Sequence, residues 1–373
     1  MTVCAKKAIE MKCNEDTGFL YPNINFDLCV DCNQCKKVCP VLKEKNNKSE
    51  KNVFAAYSLN EKIRENSSSG GIFTVIAESV LSEDGVVFGV SMTDDCLEAV
   101  HIEVKTIDEL SKLRGSKYIQ SNVNNSYSKV KKYLEDGKKV LFSGTPCQVA
   151  GLKAFLNKEY ENLITVDFIC HGVPSPLAWQ KYVKYREAEA ESKTRRTFFR
   201  HKKNGWKTYS VQFIFENCTE YVQILTEDLY MRGFLADLYL RESCFSCSFK
   251  NNNYQSDITL ADFWGIDKIK PEWNDDKGVS LVVSNTPKGL STIRYISDDL
   301  ICESVDFEKA FIYNPSYFKS VNKKFVSKNS FRDLNKYSFD RFISKYCGSC
   351  FISKVRRKIH LIVCKILNEV HSN

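Results

Sequence analysis

Between residues 29 and 40 the chain reads Cys29-Val-Asp-Cys32-Asn-Gln-Cys35-Lys-Lys-Val-Cys39-Pro40. This C-x2-C-x2-C-x3-C-P spacing wraps three closely spaced thiolates around a cubane iron–sulfur cluster, while backbone amides donate to its sulfurs. The fourth thiolate, pinned by proline, turns away to a second cluster. Zinc is the competing reading. It usually divides its four thiolates into two pairs, and this run is undivided. Residues 1–50 are otherwise short on long periodic segments and end in the polar linker KEKNNKSEKN.

The chain has 16 cysteines in 373 residues, about 4%, which is below the roughly 8–10% of a short disulfide scaffold. A chain this long builds its own core without covalent staples. The start, MTVCAKKAIE, lacks the apolar stretch of a secretory signal, and no run approaches the roughly 18 apolar residues of a membrane span. The expected location is cytoplasmic, where thiols stay reduced. Metal ligation or thiol chemistry then accounts for the cysteines better than disulfides do. Disorder is excluded by 43% hydrophobic and 12% aromatic content.

The formal charge of +8 is concentrated at one end: Lys319 to Asn373 holds thirteen Lys or Arg against three Asp or Glu. Within it, Phe351 to Val370 sets apolar residues at near-helical spacing. Such a basic amphipathic helix packs on its own domain with a solvated face, or else meets an anionic membrane surface or a partner. Packing on its own domain is the favoured reading. No nucleic-acid-binding module accompanies the charge, so nucleic acid is not an expected partner.

Three parts are expected: residues 1–50, 51–315 and a basic helical extension over 316–373. VFAAYSL, VVFGVSM, KVLFSG and LITVDFIC read as strands, and GGIFTVIAESVLSEDG, TPCQVAGLKAFLNK and PLAWQKYVKYREAEAE as helices. This alternation over residues 53–215 predicts an α/β domain. Beyond it, TYSVQFIF, SDITLADFWG and VSLVVSN add strands in a less regular pattern, so the fold class is α+β or α/β.

Val3-Cys4-Ala5-Lys6-Lys7-Ala8-Ile9-Glu10-Met11 resembles the end of a first ferredoxin motif, with Ala5 where proline usually stands. The resemblance implies Cys4 as fourth ligand beside Cys29, Cys32 and Cys35. Cys39 would then serve a cluster whose other three ligands are absent from this sequence. Either the start is shorter than in its relatives or one cluster has been lost. Cys13 is read as incidental, in a hairpin.

Seven further stretches follow in one order: Ser67–Gly71 (SSSGG), Gly115–Ser121 (GSKYIQS), Ser143–Gln148 (SGTPCQ), Cys170–Pro176 (CHGVPSP), Phe199–Trp206 (FRHKKNGW), Cys244–Lys250 (CFSCSFK) and Ser256–Gly265 (SDITLADFWG). Together they resemble the beta subunit of coenzyme F420 hydrogenases and dehydrogenases, a family that includes the plant 7-hydroxymethyl chlorophyll a reductase. The resemblance implies a small ferredoxin-like iron–sulfur domain followed by a mixed α/β flavin-binding domain. It also implies an FAD-dependent oxidoreductase that moves electrons between 4Fe-4S clusters, flavin and a two-electron partner. F420 is that partner in the namesake enzymes, and ferredoxin or a redox subunit is the expected carrier. No G-x-G-x-x-G fingerprint supports a nicotinamide cofactor. Two other readings stand beside it: a ferredoxin-dependent reductase of an organic substrate without F420, and a flavin-free electron-carrier subunit.

Ser67, Ser68, Ser69, Gly70 and Gly71 open a helix after a strand, which suits a pyrophosphate, with Arg64 nearby as counter-charge. An ordinary serine cap with a glycine turn would read alike. Lys117, Gln120 and Ser121 are polar groups on a short strand that could hold phosphate or ring edges; an exposed strand would look the same. Cys147, at a helix start, is a nucleophile, a cluster ligand or a packing cysteine. Cys147, Cys170, Cys244 and Cys247 together suit a second 4Fe-4S cluster, against a C-x2-C redox pair or zinc. His171 is a nearby polar group or a structural histidine. Asp257 and Asp262 either face the flavin or cap a turn. Trp206 and Trp264 are expected to fill a core.

Overall fold

The computed structural model describes residues 3–42, 51–323 and 329–348. The basic amphipathic segment from Phe351 to Val370, and most of the linker at 43–52, lie outside the described residues.

A hairpin leads the chain, β1 (Ile9–Cys13) paired antiparallel with β2 (Leu20–Ile24). Its turn is held by the Asn14 side chain, which accepts from the Thr17 N–H and hydroxyl. The tip docks on the body of the protein. Phe19 is 1% exposed and meets the Phe331 ring edge-on at 6.3 Å. Arg241 donates to the Leu20 carbonyl at 2.9 Å and lies over the rings of Tyr21 and Phe19. Ser175 donates to the Thr17 carbonyl, and Asn335 to that of Asp16. Phe19→Ala is expected to free this tip. Limited proteolysis should then cut the turn roughly tenfold faster, with far-UV circular dichroism unchanged, since a core-grade phenylalanine contact is lost. An unaltered cleavage rate would refute the anchor.

The remaining strands are β3 (Asn52–Ser58), β4 (Val86–Met92), β5 (Ala99–Val104), β6 (Ser121–Asn122), β7 (Val140–Ser143), β8 (Leu163–Phe168), β9 (Thr194–His201), β10 (Ser210–Phe215), β11 (Glu220–Ile224), β12 (Ile258–Asp262), β13 (Ser280–Ser284) and β14 (Leu300–Ser304). Among the described residues nine of them form one mixed sheet in the order β14-β3-β13-β12-β8-β7-β4-β5-β6. Strands β4, β7, β8 and β12 run parallel to their neighbours in that series. β12 pairs antiparallel with β13, and β13 with β3, so β3 points the same way as β12. Parallel strands covered on both faces read as continuous apolar runs. Val140, Leu141 and Phe142 of β7 are fully buried for that reason. Strands β9 to β11 form a separate antiparallel sheet.

The helices follow the sequence signals closely. Ile72–Ser82 buries Ile72, Val75, Ile76 and Val80, a helical period, and starts after Gly71 at φ +91°, a left-handed backbone suited to glycine. Pro146–Leu156 begins with a reciprocal cap between Thr145 and Gln148. Pro176–Ala190 begins with Ser175 accepting from the Ala178 N–H. One insertion departs from expectation: helix Glu61–Glu65, capped by Asn60, stands between β3 and Ser67. Lys117 and Gln120 precede rather than occupy a strand, because only Ser121 and Asn122 pair with β5. Among the described residues no helix is long and apolar enough to cross a membrane.

Candidate functional site

In an open α/β sheet, loops at the carboxyl ends of parallel strands form the ligand crevice. Here the carboxyl ends of β3, β7, β8 and β12 share one edge and lead into the loops with the least ordinary composition. A cavity of about 620 Å³ opens there, within the usual range for small-molecule and cofactor sites. Its walls bring together Ser67–Ser69, Gly115–Lys117, Ser143–Thr145, Cys170–Pro174, Arg200 and Asp262. Six of the seven stretches singled out above thus meet here or one turn away.

The serines are used differently from expectation. Ser67 donates to the Ile63 carbonyl, Ser69 to that of Val279, and Ser68 accepts from the Ser116 N–H and hydroxyl. Their hydroxyls fasten the loop, which leaves the glycine backbone and the amino end of helix Ile72–Ser82 to face the cavity. Gly70 cannot carry a side chain, because a Cβ would lie 2.5 Å from the Ala56 carbonyl oxygen. Lys202 ties the same loop down from outside by donating to the carbonyls of Arg64, Ser69 and Lys277.

Arg64 does not line the cavity. It is 2% exposed, stacks 3.9 Å over Tyr57 and is fully bonded to Asp275 and the Gly278 carbonyl. Lys117 lines the cavity, but its ammonium caps the carbonyls of Lys112, Leu113 and Arg114, and burial pushes its pKa down to about 7. Gln120 instead faces Arg241, at 3.5 Å. Ser121 lines the cavity and accepts from Gln148 at 2.9 Å. Asp257 is a strand clamp, holding Thr165 and Thr286 between β8 and the turn after β13, which accounts for it without any ligand. Trp206 is core, stacked 4.9 Å from Trp264, which forms part of the wall. His171 reaches Asp237 at 2.6 Å and also faces the cavity.

The four thiols of the body share one corner. Burial, and then the charges of Cys244, Cys147 and Cys247, hold the Cys170 thiol well above its ordinary range. The Val173 N–H already points at Cys244 Sγ at 3.4 Å, and Thr145 Oγ1 lies 3.1 Å from Cys147 Sγ. Ser320 fixes the backbone of Cys247, while Lys250 donates to the Cys170 carbonyl. Among the described residues no three His, Cys, Asp or Glu side chains are gathered tightly enough to hold a metal ion. The donor set nonetheless fits a cluster: four soft thiols on three loops, with amide and hydroxyl donors beside them. In the leading segment, the Ala8 N–H donates to Cys4 Sγ at 3.3 Å, and Asp31 and Asn33 take left-handed backbone among the cysteines. Cys32 and Cys35 are exposed, and Cys4, Cys29 and Cys39 half-buried.

Several residues of this site lay inside the quoted stretches without being singled out: Arg200, Lys202, Gln148 and Lys250. β9 reads TRRTFFRH, with three arginines, so its composition does not mark Arg200 off from its exposed neighbours Arg195 and Arg196. Asp167 is another. It is fully buried in the cavity wall, accepts from Thr259 at 2.6 Å, and its second oxygen lacks a hydrogen bond. Burial raises its pKa from 3.8 to about 7. The folded chain therefore holds a proton that the unfolded chain releases, and this group makes stability fall as pH rises from 3.8 to about 7. Asp167→Asn should gain stability on the wild type across that interval in urea titrations. A constant difference would refute the shift.

Residues 137–310 match the C-terminal part, and residues 53–127 the N-terminal part, of the family described as coenzyme F420 hydrogenase/dehydrogenase, beta subunit. The F subunit of the F(420)H(2) dehydrogenase of Methanosarcina mazei is 21% identical over 165 residues, which is 44% of this chain and 47% of the relative. The chain thus spans about half the length of the curated relative it matches. A solved F420-reducing [NiFe] hydrogenase complex from Methanosarcina barkeri contains a chain that is 18% identical, with a TM-score of 0.47, over 81% of this chain and 94% of that one. Both family segments fall on the sheet and the loops that wall the cavity, and the chain belongs to the family of coenzyme F420 hydrogenase/dehydrogenase beta subunits.

Proposed function

We propose that the chain is an iron–sulfur flavoprotein oxidoreductase that passes electrons between 4Fe-4S clusters, FAD and a two-electron partner, either F420 or another small substrate. The observation that carries this reading is the meeting of the Ser67–Gly71 loop, the Cys170 edge of the four-thiol corner and the buried Arg200–Asp262 pair around one cavity. When bound, FAD supplies exchange of one or two electrons, and clusters supply single-electron steps.

The chain's own groups have separable tasks. The backbone at Ser69–Gly71 and the start of helix Ile72–Ser82 would receive phosphate, since unpaired N–H groups and the helix dipole favour an anion. Thr145 and Gln148 fix the Cys147 loop, and Cys147, Cys170, Cys244 and Cys247 would hold one cluster. Cys4, Cys29, Cys32 and Cys35 would hold the other, on the leading segment. Arg241 links the two regions: it binds the hairpin, and its charge slightly offsets the burial that holds the Cys147 and Cys244 thiols above their ordinary range. A ferredoxin or redox subunit in a reducing, cytoplasmic compartment would be the one-electron carrier.

The test is anaerobic reconstitution with iron, sulfide and FAD, followed by rapid-mixing reduction with reduced F420, reduced ferredoxin or NAD(P)H. Stoichiometric FAD with reoxidation by F420 supports the reading. Reduction by ferredoxin alone favours a reductase of another organic substrate. Iron without any flavin uptake would sink the flavoenzyme.

A further inference from the structure

Arg200 sits on β9 with its side chain 4% exposed, in the wall of the cavity. Its Nη1 is paired with Asp262, whose other oxygen accepts from Trp206 Nε1 at 2.8 Å. The guanidinium lies 4.3 Å from the Tyr209 ring and 5.6 Å from Trp264, so its plane is fixed from three sides. Its Nε and Nη2 are buried and have no hydrogen-bond partner. Those two nitrogens carry the parallel N–H bonds of one guanidinium edge, the fork that meets a planar pair of acceptors.

A structural arginine in this protein looks different. Arg64, equally buried, uses Nε, Nη1 and Nη2 on Gly278 and Asp275. Arg114, Arg186 and Arg232 each leave a single buried nitrogen unpaired among the described residues, never both donors of one edge. A buried cationic donor left empty is costly, and here the vacant edge belongs to a group that lines a cavity.

We propose that Arg200 is the receptor for two coplanar acceptor atoms on the molecule that occupies this cavity. The chemistry is that of a carboxylate or of the N–C=O edge of a flavin-type pyrimidinedione. Asp262 already balances the arginine's charge, which admits a neutral acceptor such as an oxidised ring edge, and the fork's two donors hold that acceptor more tightly as reduction makes it electron-rich. The flavin source rests on the function proposed above; the carboxylate source does not.

The experiment compares the wild type with Arg200→Lys, which keeps the charge beside Asp262 but loses the fork. One arm measures dissociation constants for oxidised and reduced FAD on the reconstituted full chain. The other titrates benzoate calorimetrically into the flavin-free full chain. If the ring is the source, Arg200→Lys weakens reduced FAD relative to oxidised FAD by roughly tenfold, a fall of about 30 mV for a two-electron couple. If a separate carboxylate is the source, the FAD ratio holds and benzoate binding falls by roughly tenfold. Asp262→Asn, which leaves the arginine uncompensated, should tighten whichever ligand Arg200 receives, a gain that misfolding cannot imitate. Unchanged FAD ratio and unchanged benzoate binding in Arg200→Lys overturn the proposal. Wild-type protein that takes up no FAD but binds benzoate through Arg200 sinks the flavoenzyme and leaves this receptor standing. Wild-type protein that binds neither overturns both.

Discussion

Reconstituted Cys247→Ser protein is expected to retain roughly half of the wild-type iron, because under the proposed assignment one of two four-iron sites would lose a thiolate. Cys247 is chosen because its backbone N–H is fixed by Ser320 at 3.0 Å and it is close enough to raise the thiol pKa values of both Cys147 and Cys170. Serine keeps that backbone bond and changes only the donor atom. Cys32→Ser should remove the complementary half, since Cys32 lies on the leading segment, beyond the docked hairpin tip. Iron analysis with electron paramagnetic resonance of the reduced protein reads both outcomes. Iron unchanged in Cys247→Ser would show that the four-thiol corner holds no cluster.

The largest stability effect is expected at Trp179. It is fully buried, stands 4.4 Å from the Phe199 ring and 5.0 Å from Tyr230, and donates to the Cys96 carbonyl at 2.7 Å. Trp179→Ala should cost about 3–5 kcal/mol through the cavity it leaves. Stranding the Cys96 carbonyl adds about 1–3 kcal/mol where no water reaches it. Phe199 and Arg200 are neighbours on β9, so the same substitution should loosen the cavity wall. Trp179→Phe keeps the aromatic packing and should cost less than half as much. Denaturant titration decides the matter: a loss below about 1 kcal/mol for Trp179→Ala would mean that the cluster re-forms around the gap.

The architecture was legible where one physical signal dominated. The apolar runs of β7 and β8 announced strands covered on both faces. Thr145-Pro146 and Ser175-Pro176 announced helix starts, because cap and proline chemistry are local. Ser67–Gly71 was legible as a special turn but not in its detail. The sequence could not show that Ile63, Val279 and Ser116 would occupy the serine hydroxyls, since those partners come from three separate segments. Arg64 shows the same limit. Its charge suggested an anion, but Asp275, more than 200 positions away, meets it in the fold. Lys202 and Arg200 went unassigned because nothing local separates a lysine that clamps carbonyls, or an arginine that leaves an edge vacant, from one that meets solvent.

The hairpin behaves as a cantilever. The bonds described above fasten it to the body at its tip, through Asp16, Thr17, Phe19 and Leu20. The cysteine loop leaves from the opposite end, after Ile24. Strand length therefore sets the reach of the arm: each added pair of residues on β1 and β2 preserves which face is inward and carries the sulfurs about 7 Å further out. A change of one residue would rotate the arm instead, turning the docked side of the tip toward solvent. The distance from the leading cysteines to the four-thiol corner is thus a length in steps of two, written into five-residue strands.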